Sequence, residues 1–255
     1  MNRATMSLLA VVVMLLGGVL NPARAGILAP DGTYAGRTYN DWNILSWQVA
    51  YATPIVGGDH PYFSGGSLGT FDGVSLLAVP VGLVDDALTV DLTIQEGTAL
   101  FIPVIGVSSS VWEAPPFHGD DEASLQANSQ AILDQATGIL AEIDGVSVDI
   151  TPFRFVTPLF SWGPLPADNV VGAPEGTISD AAAAGYYLLV LPPAVGEHTI
   201  RVAAALGGDF EGFGFNTTFR IQVVPEPASV TILASGVIGL LGVVGVRRAR
   251  RGTRS

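Results

Sequence analysis

The chain has 255 residues, contains neither Lys nor Cys, and is charged at only 13% of its positions. Seven of its 11 Arg lie near the two ends, so residues 26–227 hold four Arg against 23 Asp and Glu, a formal charge of −19. Such an acidic surface repels nucleic acid and attracts cations, so we expect no nucleic-acid partner. The lack of Cys excludes disulfides, thiol catalysis and thiolate metal sites within the chain.

Residues 1–25 have the pattern of a secretory signal peptide. A short basic start precedes the apolar run 6–20, and small residues follow at Ala23 and Ala25. This pattern predicts cleavage by signal peptidase between Ala25 and Gly26. The alternative is a membrane anchor that is retained, which is disfavoured because the run is short and a cleavage pattern follows it.

Strand patterns dominate residues 26–224. Residues 88–95 alternate apolar and polar side chains, which indicates a strand with one buried face, whereas 99–107 are almost wholly apolar and predict a buried strand. Asp144-Gly145 predicts a tight turn. Further strands are predicted at 146–150, 186–191, 199–203 and 219–223, with 192–196 joining 186–191 to 199–203 as a hairpin.

One segment departs from the strand pattern. Between 121 and 143 apolar residues recur at helical spacing, Asp120 or Asp121 is placed to cap the start, and Gly145 lies just past the end. We therefore predict a helix over 121–143, and a further helical turn around 40–51. Many short strands with one inserted α-helix predict a mostly β fold, an antiparallel β-sandwich, in one extracytoplasmic domain over 26–224.

Three arginines lie between apolar neighbours in predicted strands. They are Arg154, Arg201 and Arg220. Successive side chains of a strand point to opposite faces, so if the apolar neighbours face the core, the arginines face solvent. We expect each of them to pair with surface carboxylates. The alternative is that they are buried and functional, which would carry a large desolvation cost.

Three histidines are the candidate metal ligands. A divalent-metal site would combine His60 and His118 with Glu113 or Asp120, because imidazole and carboxylate suit zinc and other transition ions. No two histidines have the close spacing of a ligand pair. We therefore expect His60 and His118 to be solvated loop residues and His198 to tether a turn.

Carboxylate clusters occur at 85–86 and 120–122. Acidic loops of exported proteins suit calcium, yet neither cluster has the alternating spacing of a calcium loop. The alternative for 85–86 is a solvated turn, and the alternative for 120–122 is a helix cap. Glycoside hydrolysis requires a pair of carboxylates, and among 23 acidic residues the sequence does not single out such a pair. We predict no catalytic residue, no metal and no cofactor.

Aromatic residues offer one more type of site. Some of these side chains would form a carbohydrate-stacking platform if their faces were exposed, although burial in the core is the commoner outcome. The candidates are Trp42, Trp47, Tyr62, Phe63, Trp112 and Trp162.

The C-terminal end predicts a transmembrane helix. Residues 228–246 carry no charge and, at about 1.5 Å per residue, are long enough as a helix for the hydrocarbon core of a bilayer. Arg residues follow directly at 247, 248, 250, 251 and 254, and basic residues remain on the cytoplasmic side. A soluble helix is the alternative, but the segment has no charged residue to give it a solvated face.

Pro225, Glu226 and Pro227 stand immediately before this apolar span. The tripeptide, the span and the arginine cluster, in this order over residues 225–255, resemble the PEP-CTERM sorting signal of Gram-negative bacteria. The resemblance implies recognition by a membrane exosortase, cleavage near the motif, and transfer from a transient inner-membrane anchor to the cell surface or an exopolysaccharide matrix. The prolines disfavour helix and keep the motif extended. An ordinary tail anchor preceded by a chance tripeptide is the alternative.

The middle region is similar to a group of secreted bacterial proteins without assigned activity. The similar stretches are 47–50, 99–104, 158–160, 165–169, 185–187 and 196–200. This similarity favours one continuous domain and transfers no functional residue. Two functions follow as hypotheses: a non-enzymatic surface or matrix protein that binds extracellular polysaccharide or cations, and a secreted hydrolase with a carboxylate or metal-assisted site.

Overall fold

The structure is a computed structural model that describes residues 26–80, 82–83 and 87–226. The predicted signal peptide, Asp85-Asp86, Pro227, the predicted transmembrane helix and the Arg cluster lie outside these residues. Across the described ranges, no helix has both the length and the hydropathy needed to cross a bilayer.

The mostly β prediction is confirmed: within the described residues, twelve strands form two six-stranded sheets. In chain order the strands are β1 (Gly66–Phe71), β2 (Val74–Ala78), β3 (Gly82–Leu83), β4 (Ala87–Gln95), β5 (Ala99–Ser110), β6 (Ala136–Ile143), β7 (Val146–Ser147), β8 (Arg154–Val156), β9 (Phe160–Trp162), β10 (Ser179–Val190), β11 (Gly196–Leu206) and β12 (Phe213–Val224). The first sheet has the order β1–β2–β5–β10–β8, and β9 also pairs with β10. The second has the order β3–β12–β11–β6–β7, and β4 also pairs with β12. Buried side chains from both sheets form one hydrophobic cluster.

Both sheets are mixed, so the prediction of purely antiparallel strands is wrong. β2 runs parallel to β5 in the first sheet, and β4 runs parallel to β12 in the second. The cause lies in the turn at 96–98. The chain does not reverse within one sheet there, because β4 belongs to the second sheet and β5 to the first.

The predicted hairpin at 192–196 is also wrong. β10 belongs to the first sheet and β11 to the second, so this segment crosses between sheets. Pro192 and Pro193 have no backbone N–H to donate to a ladder, which disfavours pairing at this point. β11 pairs instead with β12, from Gly196 opposite Val223 to Ala205 opposite Gly214.

Three α-helices occur in the described part of the chain, where one was predicted with a further helical turn. They are α1 (Tyr39–Ala52), α2 (Pro61–Ser64) and α3 (Glu122–Leu133). α1 confirms the helical turn around 40–51. It begins with a capping box in which Thr38 and Asp41 each accept a backbone N–H of the other. The helix buries one face, which includes Tyr39, Trp42 and Ala50.

The predicted helix over 121–143 is right only in its first half. Asp121 caps α3 by accepting the Ser124 N–H at 2.8 Å, but the helix ends at Leu133 and residues 136–143 form β6. Gly138 has a φ of 61°, which interrupts helical geometry, and it lies where β6 bulges against β11. Gly145 is not a helix cap but part of the turn between β6 and β7.

The arginine prediction is confirmed. The side chains of Arg154, Arg201 and Arg220 are 35%, 42% and 62% exposed, and they pair with Asp134, Glu142 and Asp91 respectively. Their apolar neighbours Ile200 and Ile221 are buried.

Gly26 and Val224, at the two ends of the domain, lie at the same end of the sheets. The Gly26 carbonyl accepts the Leu191 N–H at 2.8 Å, directly after β10. The Val224 carbonyl accepts the Glu96 N–H at 2.8 Å, in the short turn that leads into β5. At the start of β5, Leu100 is opposite Val190 of β10. These pairings place both chain ends beside the β4–β5 turn.

Candidate functional site

An apolar pocket of about 440 Å³ is formed by residues from both sheets and from all three helices. We call it the aromatic pocket and define it by Trp47, Tyr51, Tyr62, Tyr187 and Glu113. α1 supplies Trp47 and Tyr51, α2 supplies Tyr62, and β10 supplies Tyr187. Its volume lies in the range that small-molecule sites occupy.

The pocket wall on the second sheet lies far from Val224, where the domain ends. This wall includes Leu206, the last residue of β11, and Gly214 and Phe215 near the start of β12. At about 3.3 Å per strand residue, Phe215 is roughly 30 Å along β12 from Val224. On the second sheet, the pocket wall and Val224 therefore lie at opposite ends of β12. On the first sheet the wall lies closer to Gly26, because Tyr187 is four residues, about 13 Å, from Leu191.

The aromatic rings contact one another without parallel stacking. Trp47 and Tyr51 are one helical turn apart, and their ring centroids are 5.4 Å apart with a tilt of 43°. The centroids of Trp47 and Tyr62 are 6.2 Å apart with the rings edge to face at 68°. Trp47 Nε1–H donates to the Tyr187 hydroxyl at 3.3 Å, which links α1 to the first sheet.

Two glycines without positive φ make room for these rings. Gly106 of β5 and Gly185 of β10 are opposite each other in the first sheet. A Cβ at Gly106 would overlap the Tyr187 hydroxyl and lie 3.3 Å from the Trp47 ring, and one at Gly185 would lie 2.6 Å from the Tyr187 ring. The absence of a Cβ at both glycines therefore leaves room for the Tyr187 ring.

The pocket has few polar groups. Glu113 Oε2 accepts the Ser110 hydroxyl at 2.8 Å. Burial raises the pKa of Glu113, and the hydrogen bond from Ser110 opposes part of that rise. Ser108 is 5% exposed, and its Oγ has no hydrogen-bond partner of ordinary geometry among the described residues.

The tyrosines of the pocket stay neutral. Burial raises the pKa of Tyr51 well above its usual range, and the nearby Glu113 carboxylate raises it further, although the adjacent Ser108 hydroxyl favours the ionised form. Burial also raises the pKa values of Tyr62 and Tyr187. Glu113 is therefore the group that brings negative charge to the pocket.

The three histidines have separate structural roles. The prediction that His60 is solvated is wrong, because the residue is only 1% exposed. It caps α2 by accepting the Tyr62 N–H at Nδ1, and its Nε2 bonds the Ala50 carbonyl. His118 contacts Asp120 at 3.2 Å. His198 tethers a turn, as predicted, with Nδ1 2.9 Å from Asp144 Oδ2.

The proposed metal ligands do not assemble. In the described ranges, no group of three or more His, Asp or Glu side chains is arranged to hold a metal ion. The cluster at 120–122 caps α3 and ties its first turn to a distant segment, because Asp121 accepts the Ser124 N–H and Glu122 accepts the Leu159 N–H at 3.2 Å. The helix-cap interpretation is thus confirmed for this cluster.

The four tryptophans do not form one exposed platform. Trp42 and Trp162 are fully buried, Trp112 is 42% exposed, and Trp47 is half-buried in the aromatic pocket. Three of the predicted stacking residues, Trp47, Tyr62 and Phe63, line the aromatic pocket. Sequence patterns missed Tyr51, Tyr187 and Ser108. A glycine inside the apolar run 99–107, which is Gly106, was the available signal of close packing.

Comparisons with known proteins leave the family open. No family model matches the sequence, and no curated protein matches it. A solved structure, described as PbICP-C in complex with falcipain-2, has 10% sequence identity to this chain; the match covers 61% of this chain and 100% of that chain, with a TM-score of 0.26. At that TM-score the likeness carries no argument about fold or function.

Proposed function

We propose that the chain is an exported surface or extracellular-matrix protein whose domain 26–224 is a β-sandwich that binds a small extracellular ligand in the aromatic pocket. Signal peptidase would remove residues 1–25, and an exosortase-type system would recognise Pro225, Glu226 and Pro227. The resemblance of residues 225–255 to the PEP-CTERM signal supports this route of export and sorting. The pocket supports the binding role.

The position of the pocket carries this proposal. Gly26 and Val224 lie together beside the β4–β5 turn, whereas the pocket wall formed by Phe215 is roughly 30 Å from Val224 along β12. A protein held by a segment after Val224 would thus hold this wall of the pocket away from the membrane. That orientation suits capture of ligands from the medium or from a matrix.

The pocket favours binding over hydrolysis. Glycoside hydrolysis uses two carboxylates on either side of the scissile bond, and the described pocket wall contains one, Glu113. None of the histidines lines it. A cavity of about 440 Å³ holds one small ligand, so an extracellular polysaccharide would enter through a terminal unit.

Ligand screening with two tryptophan variants tests the binding role. Full-length protein purified in detergent is screened by saturation-transfer NMR against sugars and small neutral and charged molecules. Trp47→Leu should weaken binding of any pocket ligand by about tenfold or more, because stacked aromatic area is lost. Trp112→Leu removes an exposed tryptophan outside the pocket and should leave binding unchanged. No ligand at millimolar concentration, or equal loss in both variants, would contradict the proposal.

A further inference from the structure

We propose that the aromatic pocket selects a small organic cation, with an alkylammonium head group on an apolar body. This inference rests on the proposed function, because it names the ligand class of the same pocket. Two independent features of the pocket support it: the arrangement of the rings and the isolated carboxylate.

The rings supply the surface that an alkylammonium group requires. Trp47 and Tyr62 meet edge to face at 68°, so the edge-on ring keeps both of its faces free of its partner. Tyr51 is tilted by 43° against Trp47 and contributes a third ring. The faces of such rings carry negative quadrupole density that attracts a cation, most strongly where water is excluded.

Glu113 supplies the counter-charge. Its carboxylate lines the pocket, lies close enough to Tyr51 to act on the tyrosine's ionisation, and accepts one hydrogen bond, from Ser110. All four Arg of the domain pair with other carboxylates: Arg37 with Asp72, Arg154 with Asp134, Arg201 with Glu142 and Arg220 with Asp91. Glu113 is half-buried, and a carboxylate partly withdrawn from water without a cationic partner is costly, so a bound cation would relieve that cost.

The remaining polar groups suit a ligand with a compact head group better than a neutral sugar. Ser108 Oγ is fully buried and lies beside the Tyr51 hydroxyl, so it offers no accessible group to a ligand. The Ser46 hydroxyl is already used by the Asn43 carbonyl at 2.8 Å. A sugar ring carries several hydroxyls and would leave most of them unpaired here. The formal charge of −19 over residues 26–227 also draws cations towards the domain.

The test compares choline with 3,3-dimethyl-1-butanol, which has the same shape but no charge. Isothermal titration calorimetry uses full-length protein in detergent at fixed ionic strength. We expect choline to bind about tenfold or more tightly than the neutral probe. Glu113→Gln should reduce that preference by weakening choline alone, while the aromatic rings keep the remainder. Glu175→Gln changes the net charge equally on an exposed loop and should leave both affinities unchanged.

The outcomes separate this inference from the proposed function. If the neutral probe or a neutral sugar binds with Trp47 dependence and choline gains nothing from its charge, the cation inference is wrong and the pocket function stands. If Glu113→Gln and Glu175→Gln weaken choline equally, the domain's overall charge rather than the pocket attracts it, and the inference is again wrong. If neither probe nor any screened molecule binds, both proposals fail.

Discussion

Ile221 and Arg220 are neighbours on β12 whose side chains point to opposite faces of the second sheet. Ile221 is 1% exposed, whereas Arg220 is 62% exposed and lies 2.7 Å from Asp91. We expect Ile221→Ala to lower the free energy of unfolding by about 2 kcal/mol or more, because it leaves a cavity. Arg220→Gln should cost less than about 1 kcal/mol, since an exposed ion pair stabilises weakly. Urea denaturation of both variants measures this, and a larger loss for Arg220→Gln would show that the arginine has another role.

His60 should make stability depend on pH. Its two hydrogen bonds require a neutral ring, with Nδ1 accepting from Tyr62 and Nε2–H donating to Ala50, and burial lowers the pKa of His60 below its ordinary value of 6.5. The folded state therefore binds fewer protons than the unfolded state as pH falls through 6.5, so the stabilising contribution is present above that value and is lost on acidification.

The variant His60→Asn isolates this effect. Asn keeps an acceptor for the Tyr62 N–H but does not titrate. Denaturation at pH 7.5 and pH 5 should show a smaller loss of stability on acidification in this variant than in the natural protein. The matched change His118→Asn, in a partly exposed loop, should keep the full loss. An unchanged pH dependence in His60→Asn would show that other groups cause it.

At the scale of elements, local sequence patterns predicted the positions of strands well but did not predict which strands pair. Alternation placed β4 at 88–95, against the observed Ala87–Gln95, and the apolar run located β5. Residues 136–143 have an apolar spacing that fits both a helix and a strand. These residues form a strand because they pair with β11 and because the left-handed backbone conformation of Gly138 interrupts a helix. The sheet to which β11 belongs depends on contacts with β12, which no local pattern encodes.

The site was predictable only in part for the same reason. Trp47, Tyr62 and Phe63 were nominated because aromatic residues near polar loops suggest stacking. Tyr187 lies 140 residues from its partner Trp47 along the chain, and their contact depends on how α1 packs against the first sheet. The Gly106–Gly185 pair, which makes room for Tyr187, likewise exists only once β5 and β10 are paired.

At the scale of the whole molecule, the two ends of the domain lie together, and neither of them lines the pocket. Gly26 follows the predicted signal peptide, and Val224 precedes Pro225 and Glu226, both of which are exposed. Since both ends lie beside the β4–β5 turn, removal of the signal peptide and processing after β12 would leave the pocket walls intact. Export, anchoring and ligand binding would therefore use separate parts of the protein.

The sorting motif can be tested without disturbing the pocket. If the Pro-Glu-Pro segment is read by an exosortase, Glu226→Ala should leave the protein in the inner membrane with its C-terminal segment intact, because recognition fails before cleavage. Glu175→Ala removes another exposed carboxylate, from a loop, and should be released as the natural protein is. Cell fractionation with C-terminal mass spectrometry distinguishes the two forms. Release of a shortened Glu226→Ala protein at the natural rate would show that the tripeptide is not the signal, and an ordinary tail anchor would become the better interpretation.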